Sequence, residues 1–119
     1  MIKRMMKQRE SKSLESVYPE IAKIPLPTTG EIETILARFK AGENGADEEL
    51  KHACVHFVAS VAKQYLGQGV TQEELLEAGN KGLRMAAQKY DMNGKFKFIC
   101  YAIWWIRQSI QYAVNEHTK

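Results

Sequence analysis

The sequence predicts an all-α fold, a compact bundle of about five helices. Apolar residues recur three and four positions apart along most of the chain, as they do on one face of a helix. Proline and glycine interrupt this pattern at short intervals, and no stretch of useful length alternates apolar and polar residues as a strand does. The chain has 119 residues, the length of one domain, so we expect short loops around a single core.

The composition is that of an ordinary globular protein. Apolar residues make up 45% of the chain and charged residues 26%, which separates it from disordered chains. No apolar run approaches the roughly 20 residues of a membrane span, and no apolar segment of a secretory signal follows the basic start of the chain. We therefore expect a cytoplasmic protein without a membrane partner, and we expect Cys54 and Cys100 to be reduced residues of the core.

The first third of the chain is predicted to hold a basic arm and two helices. Residues 1–11 are expected to form a flexible arm, and residues 12–119 a single helical domain. Apolar residues at helical spacing predict a helix over about 13–24, which Pro25 ends because proline cannot continue it. A second helix is predicted to start at Thr28 or Thr29, both preferred N-caps, and to end at a glycine-rich segment.

Two longer helices follow, and a third closes the chain. The first spans roughly residues 47–65, and the next runs from Thr71 to about Tyr90, with acidic residues in its first turn, where the helix dipole favours them. Gly79 and Gly82 lie inside this helix, where each costs about 1 kcal/mol relative to alanine. We therefore expect a close neighbour on that face, either a helix of the same domain or a helix of a partner.

The closing helix, predicted from about Phe96, has two different faces. One face is wide and aliphatic, enough to anchor the helix to a core; it carries Ile99, Ala102, Ile103, Ile106, Ile110, Ala113 and Val114. The opposite face carries Lys97, Tyr101, Trp104, Gln108, Tyr112 and Asn115, flanked by Phe98 and Trp105. Rings can stack on unpaired bases, cations attract phosphates, and glutamine can bond a base edge. This face suits single-stranded nucleic acid. Alternatively, its rings pack against another helix of the domain, and Phe98 and Trp105 are then the first candidates for core residues.

Basic residues lie in the same part of the chain as this face. The net charge of +3 is small, but residues 79–119 hold seven basic and only two acidic residues. Attraction to phosphates is the first property to look for in a nucleic-acid-binding protein. The charge distribution therefore favours the nucleic-acid interpretation, although lysines scattered on solvated helix faces would give the same count.

No pattern in the sequence indicates catalysis or a cofactor. The chain lacks a glycine-rich phosphate loop, a GxSxG nucleophile elbow and a CxxC pair. Glu48, His52 and His56 lie one helical turn apart and could share a zinc ion, but no fourth ligand is apparent. We expect a protein that is not an enzyme and that needs no metal, no cofactor and no small-molecule substrate.

The stretch FKFICYAIWWIRQSI closely resembles the signature of region 2 in the sigma-70 family of bacterial sigma factors. The preceding stretch, FVASVAKQYLGQGVTQEELLEAGNKGLRMAAQKYD, is similar to the earlier part of that region. Residues 45–119 thus resemble region 2, and residues 12–42 resemble region 1.2. The resemblance implies an all-helical domain that binds the RNA polymerase core and the promoter minus-ten element.

By position, the resemblance implies that the aromatic helix captures the non-template strand as the promoter melts. Tyr101 and Trp104 would stack at the upstream edge of the bubble. Tyr90 and Asp91 would form a pocket for a flipped-out base, and Gln108 would read the upstream base pair of the element. The implied DNA-binding residues are Tyr90, Asp91, Lys95, Phe96, Lys97, Phe98, Tyr101, Trp104, Arg107, Gln108 and Gln111.

The resemblance also implies that the helix from Thr71 docks on a coiled coil of the polymerase clamp. The implied contact residues are Glu74, Glu77, Ala78, Asn80 and Lys81. Three of them depart from the family pattern, since Glu77 replaces a glutamine, Ala78 a glutamate and Lys81 an aliphatic residue. Changes of charge on a docking surface can weaken a partner contact. In the DNA-binding part, Gln111 and Tyr112 replace a threonine and an arginine.

Three functions remain open from the sequence. The first is a truncated or minimal sigma factor, the second a sigma-like decoy that occupies the polymerase clamp or another protein partner without initiating transcription, and the third a free single-strand binder. The intact Tyr101, Trp104 and Gln108 favour DNA contact. Ala78 and Lys81 favour the decoy or the free binder.

Overall fold

The computed structural model describes residues 13–94 and 96–117, and within these ranges the chain is all-α, as predicted. The helices are α1 (Leu14–Val17), α2 (Pro19–Ala22), α3 (Thr29–Lys40), α4 (Ala46–Ala53), α5 (Val55–Ala62), α6 (Gln72–Lys89) and α7 (Phe98–His117). A 3₁₀ turn, Lys63–Tyr65, continues α5. In the described part of the chain, no helix has the length and apolar character that a membrane span requires.

Two of the expected helices are each divided in two, which accounts for seven helices within residues 13–94 and 96–117, where about five were predicted. The helix expected over about 13–24 breaks at Tyr18 (φ −129°, ψ 71°). The reason is Pro19, which disfavours helical backbone in the residue before it and then occupies the first position of α2. The helix expected over roughly 47–65 breaks at Cys54 (φ −99°, ψ 10°). Apolar spacing continues through Cys54, so the sequence carries no mark of this second break.

Both α3 and α6 start at the threonines that the sequence indicates, and each start is a capping box. At α6, the Glu74 backbone N–H donates to Thr71 Oγ1 (3.1 Å), and the Thr71 N–H donates to the Glu74 carboxylate (3.2 Å). Thr28 and Glu31 make the same two bonds at α3, at 3.1 and 3.0 Å. Hydrogen bonds from the threonine backbone and side chain hold the pKa of Glu31 and of Glu74 below the usual value.

The core is centred on α6 and α7, whose backbones approach so closely that glycine is needed between them. A Cβ added at Gly82 would lie 2.5 Å from the Trp105 carbonyl oxygen. A Cβ added at Gly79 would lie 2.5 Å from Val58 Cγ1 of α5 and 3.2 Å from Ile110 Cδ1. The expectation of a neighbouring helix in the same domain is therefore confirmed, and the alternative that the glycines admit a partner's helix is wrong.

Two polar contacts tie the first helices to the rest of the domain. The Tyr18 hydroxyl donates to the Gln72 carbonyl oxygen at the start of α6 (3.0 Å). The His56 ring is hydrogen-bonded to the Ile24 carbonyl oxygen, which gives this histidine a structural role in holding the segment between α2 and α3. Among the described residues, no three histidine, cysteine or acidic side chains are placed to share a metal ion.

The two cysteines lie in different surroundings. Cys54 is fully buried, as expected, and burial raises the pKa of its thiol to about 12. Cys100 is exposed, so its expected place in the core is wrong. The reason is its position on α7, since the buried stripe of this helix runs through Phe98 and Ala102 and leaves Cys100 on the outward side.

Candidate nucleic-acid interface

α7 buries one face and exposes the other, as its two-faced pattern predicts. The buried side chains are Phe98, Ala102, Ile106, Ile110 and Val114. On the opposite side, Trp104 keeps 57% and Tyr112 keeps 67% of its surface exposed, and Phe96, two residues before the helix, keeps 74%. The alternative that the whole aromatic face packs against another helix is therefore wrong for these three rings. What remains is a surface of large rings that the fold does not use for its own packing.

Phe98, which the sequence places among the DNA contacts, lies in the core instead. Only 4% of its surface is exposed, and its ring meets the Tyr90 ring edge-on with the centroids 5.3 Å apart. The helix begins at Phe98 rather than near Phe96, which puts Phe98 one turn before Ala102 on the buried stripe. Phe98 therefore supports Tyr90 from inside the protein, and Phe96 is the ring of this pair that is exposed.

Five aromatic rings form a continuous row along the α6–α7 junction. The centroid distances are 5.3 Å for Phe98–Tyr90, 5.6 Å for Tyr90–Tyr101, 6.3 Å for Tyr101–Trp105 and 5.3 Å for Trp105–Trp104. Three of these contacts are edge-on, a geometry that aromatic pairs prefer by about 0.5–1.5 kcal/mol each. Tyr90, Tyr101 and Trp105 are half-buried, so the row holds the exposed Trp104 ring in place.

The loop between α6 and α7 is closed by its first two residues. The Tyr90 hydroxyl donates to the Phe96 carbonyl oxygen. The Asp91 carboxylate accepts from the Asn93 N–H, and the Asp91 carbonyl oxygen accepts from the Gly94 N–H, both at 2.9 Å. The loop therefore brings Tyr90, Asp91 and the exposed Phe96 together at the start of α7.

The cation and the amide expected near the centre of the interface are exposed. Lys97 lies just before α7 and Gln108 in its middle, and neither side chain makes a hydrogen bond within residues 13–94 and 96–117. Both are therefore open to a ligand. Lys95, the other cation expected in this loop, lies outside the described residues.

Two further residues of the expected DNA-binding set already have partners in the protein. Arg107 Nη1 donates to Gln64 Oε1 in the 3₁₀ turn (2.9 Å). The Gln111 amide donates to Asn115 Oδ1, one turn further along α7 (3.0 Å). Since a guanidinium carries five donor hydrogens, the bond to Gln64 orients Arg107 and leaves most of its donors for a phosphate.

Lys89, at the end of α6, is a residue of the interface that the sequence analysis missed. Its Nζ lies 5.8 Å from the centroid of the Trp105 ring, which is within the range of a cation–π contact. The signal in the sequence was only its place in the basic segment. Its contact with Trp105 depends on how α6 and α7 pack, which periodicity does not report.

The residues expected to meet the polymerase are divided between the surface, the core and a helix cap. Glu77 and Lys81 are exposed on α6, and neither makes a side-chain hydrogen bond or ion pair among the described residues. The Glu74 carboxylate is occupied by the capping box. Ala78 is only 7% exposed and packs in the core, because it lies on the side of α6 that faces its neighbours. Asn80 is half-buried.

A surface cavity of about 280 Å³ lies between α6 and the helices α3 and α4. It is lined by Phe39, Asp47, Glu48, Leu50, Lys51, Glu77, Asn80, Lys81, Leu83 and Arg84. The Asn80 Oδ1 atom is buried and has no hydrogen-bond partner among the described residues. Arg84, which the sequence analysis left out of this site, lies three residues after Lys81 and therefore on the same side of α6.

Comparison with known proteins identifies the family. Residues 50–119 match Sigma-70 region 2, which is more than half of the chain. The chain belongs to the sigma-70 family. The region 2 match covers α5, α6, α7 and the candidate interface, and it confirms the resemblance. Residues 12–42, expected to resemble region 1.2, lie before the matched residues.

Three curated sigma-70 relatives show how far the similarity extends. The chain is 39% identical to the RNA polymerase sigma factor SigA of Clostridium acetobutylicum over 100 residues, which is 84% of this chain and 26% of that protein. The RNA polymerase sigma factor SigA of Listeria monocytogenes is also 39% identical, over 84% of this chain and 27% of its own length. That of a Bacillus species is 37% identical, over 84% and 26%. The chain thus spans about a quarter of the length of these relatives.

Proposed function

We propose that this chain binds the RNA polymerase core through α6 and captures the non-template strand of the promoter minus-ten element on the outward face of α7. The observation that carries the proposal is the exposure of Trp104 (57%) and Phe96 (74%) on the side away from the core. Exposed clusters of rings mark binding surfaces, and flat unpaired bases fit such rings. The names of the matched relatives, RNA polymerase sigma factors, support the polymerase as the partner.

Capture of the strand is assigned first to Trp104 and Tyr101. A base that leaves the duplex loses stacking, a few kcal/mol, and an aromatic side chain can return about 1–3 kcal/mol per base. Trp105 meets the Trp104 ring edge-on and also contacts Tyr101, so the rings are held before the strand arrives. A prearranged ring loses little conformational entropy on binding. We therefore place these two residues at the upstream edge of the melted segment.

The loop before α7 is assigned to a flipped-out base. Tyr90 is held by its hydrogen bond to the Phe96 carbonyl and by the buried Phe98 ring. Asp91 presents an exposed carboxylate, which can accept a hydrogen bond from an exocyclic amine of a base. The exposed Phe96 ring supplies a stacking surface at the same place.

The remaining residues of the interface are assigned to phosphates and to base edges. Lys97 and Arg107, together with Lys95, supply positive charge for the strand, and each phosphate contact makes binding more sensitive to salt. Gln108 is exposed in the middle of the outward face, and a glutamine amide can bond an adenine edge through two hydrogen bonds. Gln111 lies in the next turn and extends this amide surface.

Polymerase docking is assigned to the outward side of α6. The cavity beside it can receive apolar side chains of a partner helix, and its apolar lining includes Phe39 and Leu83. The buried Asn80 Oδ1 has an unused acceptor that a donor from the partner would satisfy. Lys81 and Arg84 line the cavity together with acidic side chains such as Glu77, so a partner can meet charges of both signs there.

The first experiment tests polymerase binding. The chain is mixed with purified RNA polymerase core, the mixture is passed over a size-exclusion column, and a full-length sigma factor is added as competitor. Co-elution that the competitor reverses is expected. The double variant Lys81→Glu, Arg84→Glu should lose co-elution, whereas Lys23→Glu, a control on the exposed segment after α2, should keep it. No co-elution of the unchanged chain at micromolar concentration would contradict the polymerase assignment.

The second experiment tests strand capture. Trp104→Ala is expected to weaken binding to a fluorescent minus-ten single strand about fivefold or more, as the loss of one stacking contact predicts. The thermal midpoint of unfolding should fall by no more than several degrees, because the ring is mostly exposed and loses only its edge-on contact with Trp105. Leu26→Ala removes an apolar side chain that is 63% exposed elsewhere and should change neither quantity. A large drop in the thermal midpoint of Trp104→Ala would show that the ring belongs to the core.

A second candidate function is a decoy that occupies the polymerase clamp without starting transcription. It is favoured by the exposed cation Lys81 on the docking side of α6, where the family has an aliphatic residue. Run-off transcription distinguishes the two functions once binding is established. A transcript that depends on this chain supports initiation, and inhibition of a full-length sigma factor without a new transcript supports the decoy.

A further inference from the structure

The outward face of α7 has a spacing that reads the same in both directions along the chain. Six residues, the first of them directly before the helix, follow each other at intervals of four, three, four, three and four positions: Lys97, Tyr101, Trp104, Gln108, Gln111 and Asn115. Alternating intervals of three and four place residues in one line along a helix, through which two helices can pack side by side. Five of the six are exposed, and Tyr101 is half-buried. Because the intervals of this α7 seam are symmetric, a second copy of α7 that runs in the opposite direction matches it position for position.

The middle of the α7 seam is complementary to itself. When two copies lie antiparallel, Trp104 of each copy lies opposite Gln108 of the other. The Trp104 indole has an N–H donor and the glutamine amide has an acceptor oxygen, and neither side chain makes a hydrogen bond within residues 13–94 and 96–117. The same pair can therefore form twice, once on each side of a two-fold axis. Arg107 also lies near this axis, but its bond to Gln64 (2.9 Å) holds it beside the 3₁₀ turn, at the edge of the seam.

The two ends of the seam carry opposite charges. Lys97 lies at the start of α7, where the helix dipole is positive, and Glu116 lies in the last turn, where the dipole is negative, so each charge is unfavourable for its own helix. In an antiparallel pair, Lys97 of one copy lies beside the last turn and Glu116 of the other. The Glu116 carboxylate accepts from the Tyr112 hydroxyl (3.3 Å) and has lone pairs for a further donor. A parallel pair would place Lys97 against Lys97, so the charges favour the antiparallel one.

The exposed rings supply enough surface for a specific dimer. Phe96, Trp104 and Tyr112 are each more than half exposed. A buried aromatic side chain covers about 150–250 Å², so the exposed parts of these rings amount to about 600 Å² over two copies. With the polar residues of the seam, the buried area reaches about 1,200 Å², the lower end of the range for specific interfaces. We therefore expect a dissociation constant in the micromolar range.

We propose that this chain forms a symmetric dimer through the outward faces of two antiparallel α7 helices, and that this dimer excludes DNA. The second copy covers Trp104 and Gln108, and it engages Lys97. The proposed function assigns the same three side chains to the promoter strand, so strand and second copy compete for one surface. The dimer itself does not depend on the proposed function, whereas its displacement by DNA does.

Sedimentation velocity of the full chain, from low micromolar to submillimolar concentration, tests the dimer. The mass should rise from that of one chain to that of two. Trp104→Ala should raise the dissociation constant about tenfold or more, because the symmetry removes two ring contacts from each dimer. Lys23→Glu and Leu26→Ala, at exposed positions outside α7, are the controls and should leave the dissociation constant unchanged. Circular dichroism of each variant confirms that α7 is formed.

A charge reversal tests the antiparallel arrangement. Lys97→Glu alone places two carboxylates side by side, and Glu116→Lys alone places two cations there. Each should weaken the dimer about fivefold, because the symmetry creates two such contacts. The double variant Lys97→Glu, Glu116→Lys restores opposite charges at both ends and should dimerise about as well as the unchanged chain.

A fluorescent minus-ten single strand tests the competition. Added to the dimer, it should produce a complex that contains one chain, and a higher protein concentration should release the strand. A strand that binds to the intact dimer would overturn the exclusion of DNA. If the strand neither binds nor dissociates the dimer, the proposed function fails and the exclusion of DNA fails with it, while the dimer stands.

Three further results would overturn the dimer as proposed. The first is the mass of a single chain at every concentration. The second is a dimer that Trp104→Ala does not weaken, which would place the contact on another face. The third is a double charge variant that dimerises no better than the single variants, which would exclude the antiparallel arrangement.

Discussion

α6 and α7 pack against each other, yet they expose opposite kinds of surface. α6 exposes charges, among them Glu77 and Lys81, beside a cavity of about 280 Å³. α7 exposes the rings of Trp104 and Tyr112 and the amide of Gln108. The shared core fixes where each helix lies, whereas the outward residues do little for packing and determine which ligand each helix can meet.

The two helices also contribute unequally to the core they share. α6 brings mostly small residues to the contact, including Gly79 and Gly82, and α7 brings the fully buried Ile106 and Ile110. Small residues on one side allow the backbones to approach and hold the larger residues of the other side tightly. Changes on the inner side of α6 should therefore damage folding, while changes on the outer side of α7 should damage binding alone.

The largest expected effect comes from Gly82→Ala on the inner side of α6. The added Cβ would lie 2.5 Å from the Trp105 carbonyl oxygen, a backbone atom that can move only if α7 moves. We expect a loss of about 3 kcal/mol in the free energy of unfolding, measured by urea denaturation. Gly30→Ala in α3 is the matched control, since the nearest atom to its added Cβ is 4.0 Å away and alanine is the better helix former. Equal stability of the two variants would refute the close α6–α7 contact.

An intermediate effect is expected at the start of α6. Thr71→Ala removes the side-chain acceptor of the capping box and should cost about 1 kcal/mol of unfolding free energy. Strand binding should be unchanged, because the site of the change is at the opposite end of α6 from Lys89 and Tyr90. If strand binding fell with stability held constant, the separation between the α6 and α7 surfaces would be lost.

Acid should weaken the fold through three glutamates whose pKa is lowered, one of which belongs to the cap of α6. The pKa of Glu74 and of Glu31 is lowered by the capping hydrogen bonds, and that of Glu49 by hydrogen bonds from Arg38. A group with a lowered pKa in the folded state binds its proton more weakly there than in the unfolded chain. Its contribution is therefore complete above the ordinary glutamate pKa of about 4.3 and is lost as the pH falls through the lowered value.

Urea denaturation at a series of pH values from 7 to 3 measures this effect. The unfolding free energy should stay nearly constant down to about pH 5 and then fall. Glu74→Gln removes one of the titrating groups, so its curve should be less steep in the acid range. Identical curves for Glu74→Gln and the unchanged chain would show that the cap does not contribute to the acid response.

The smallest expected effect is at the contact between Lys89 of α6 and the Trp105 ring of α7. Lys89→Met keeps an unbranched side chain and removes the charge above Trp105, a contact worth about 0.5–1 kcal/mol. We expect a loss of this size in the unfolding free energy. Gln88→Met, at the neighbouring exposed position of α6, is the control and should leave stability within about 0.5 kcal/mol of the unchanged chain.

Much of the fold could be predicted from the sequence because its signals are local. Helical spacing and the two threonine caps depend on residues within one or two turns of each other, and α3 and α6 both start at a predicted threonine. The break at Cys54 could not be predicted in the same way. It depends on how distant helices meet, and an apolar residue at helical spacing looks the same on either side of such a break. Phe98 was a core candidate from its place at the edge of the aromatic face, and only the resemblance assigned it to DNA.

In the candidate site, too, some features follow from local sequence signals and others depend on how the helices pack. The exposure of Trp104 and Gln108 follows from their angle on α7, which periodicity reports. The burial of Ala78 and the contact of Lys89 with Trp105 follow from the packing of α6 on its neighbours, which periodicity does not report. The family resemblance assigns a role to each residue by its position in the sequence. It placed Ala78 on the polymerase-binding surface, whereas the packing of α6 buries this residue.

The edge-on pair of Trp104 and Trp105 gives the protein a built-in optical reporter. These are the only two tryptophans of the chain, so its intrinsic tryptophan fluorescence originates entirely at this pair. One indole is open to solvent and the other is half-buried beneath Lys89. A base that stacks on Trp104 would quench the first emission and leave the second, and Trp104→Phe and Trp105→Phe would separate the two signals. Occupancy of the strand site could thus be followed in real time on the unlabelled protein.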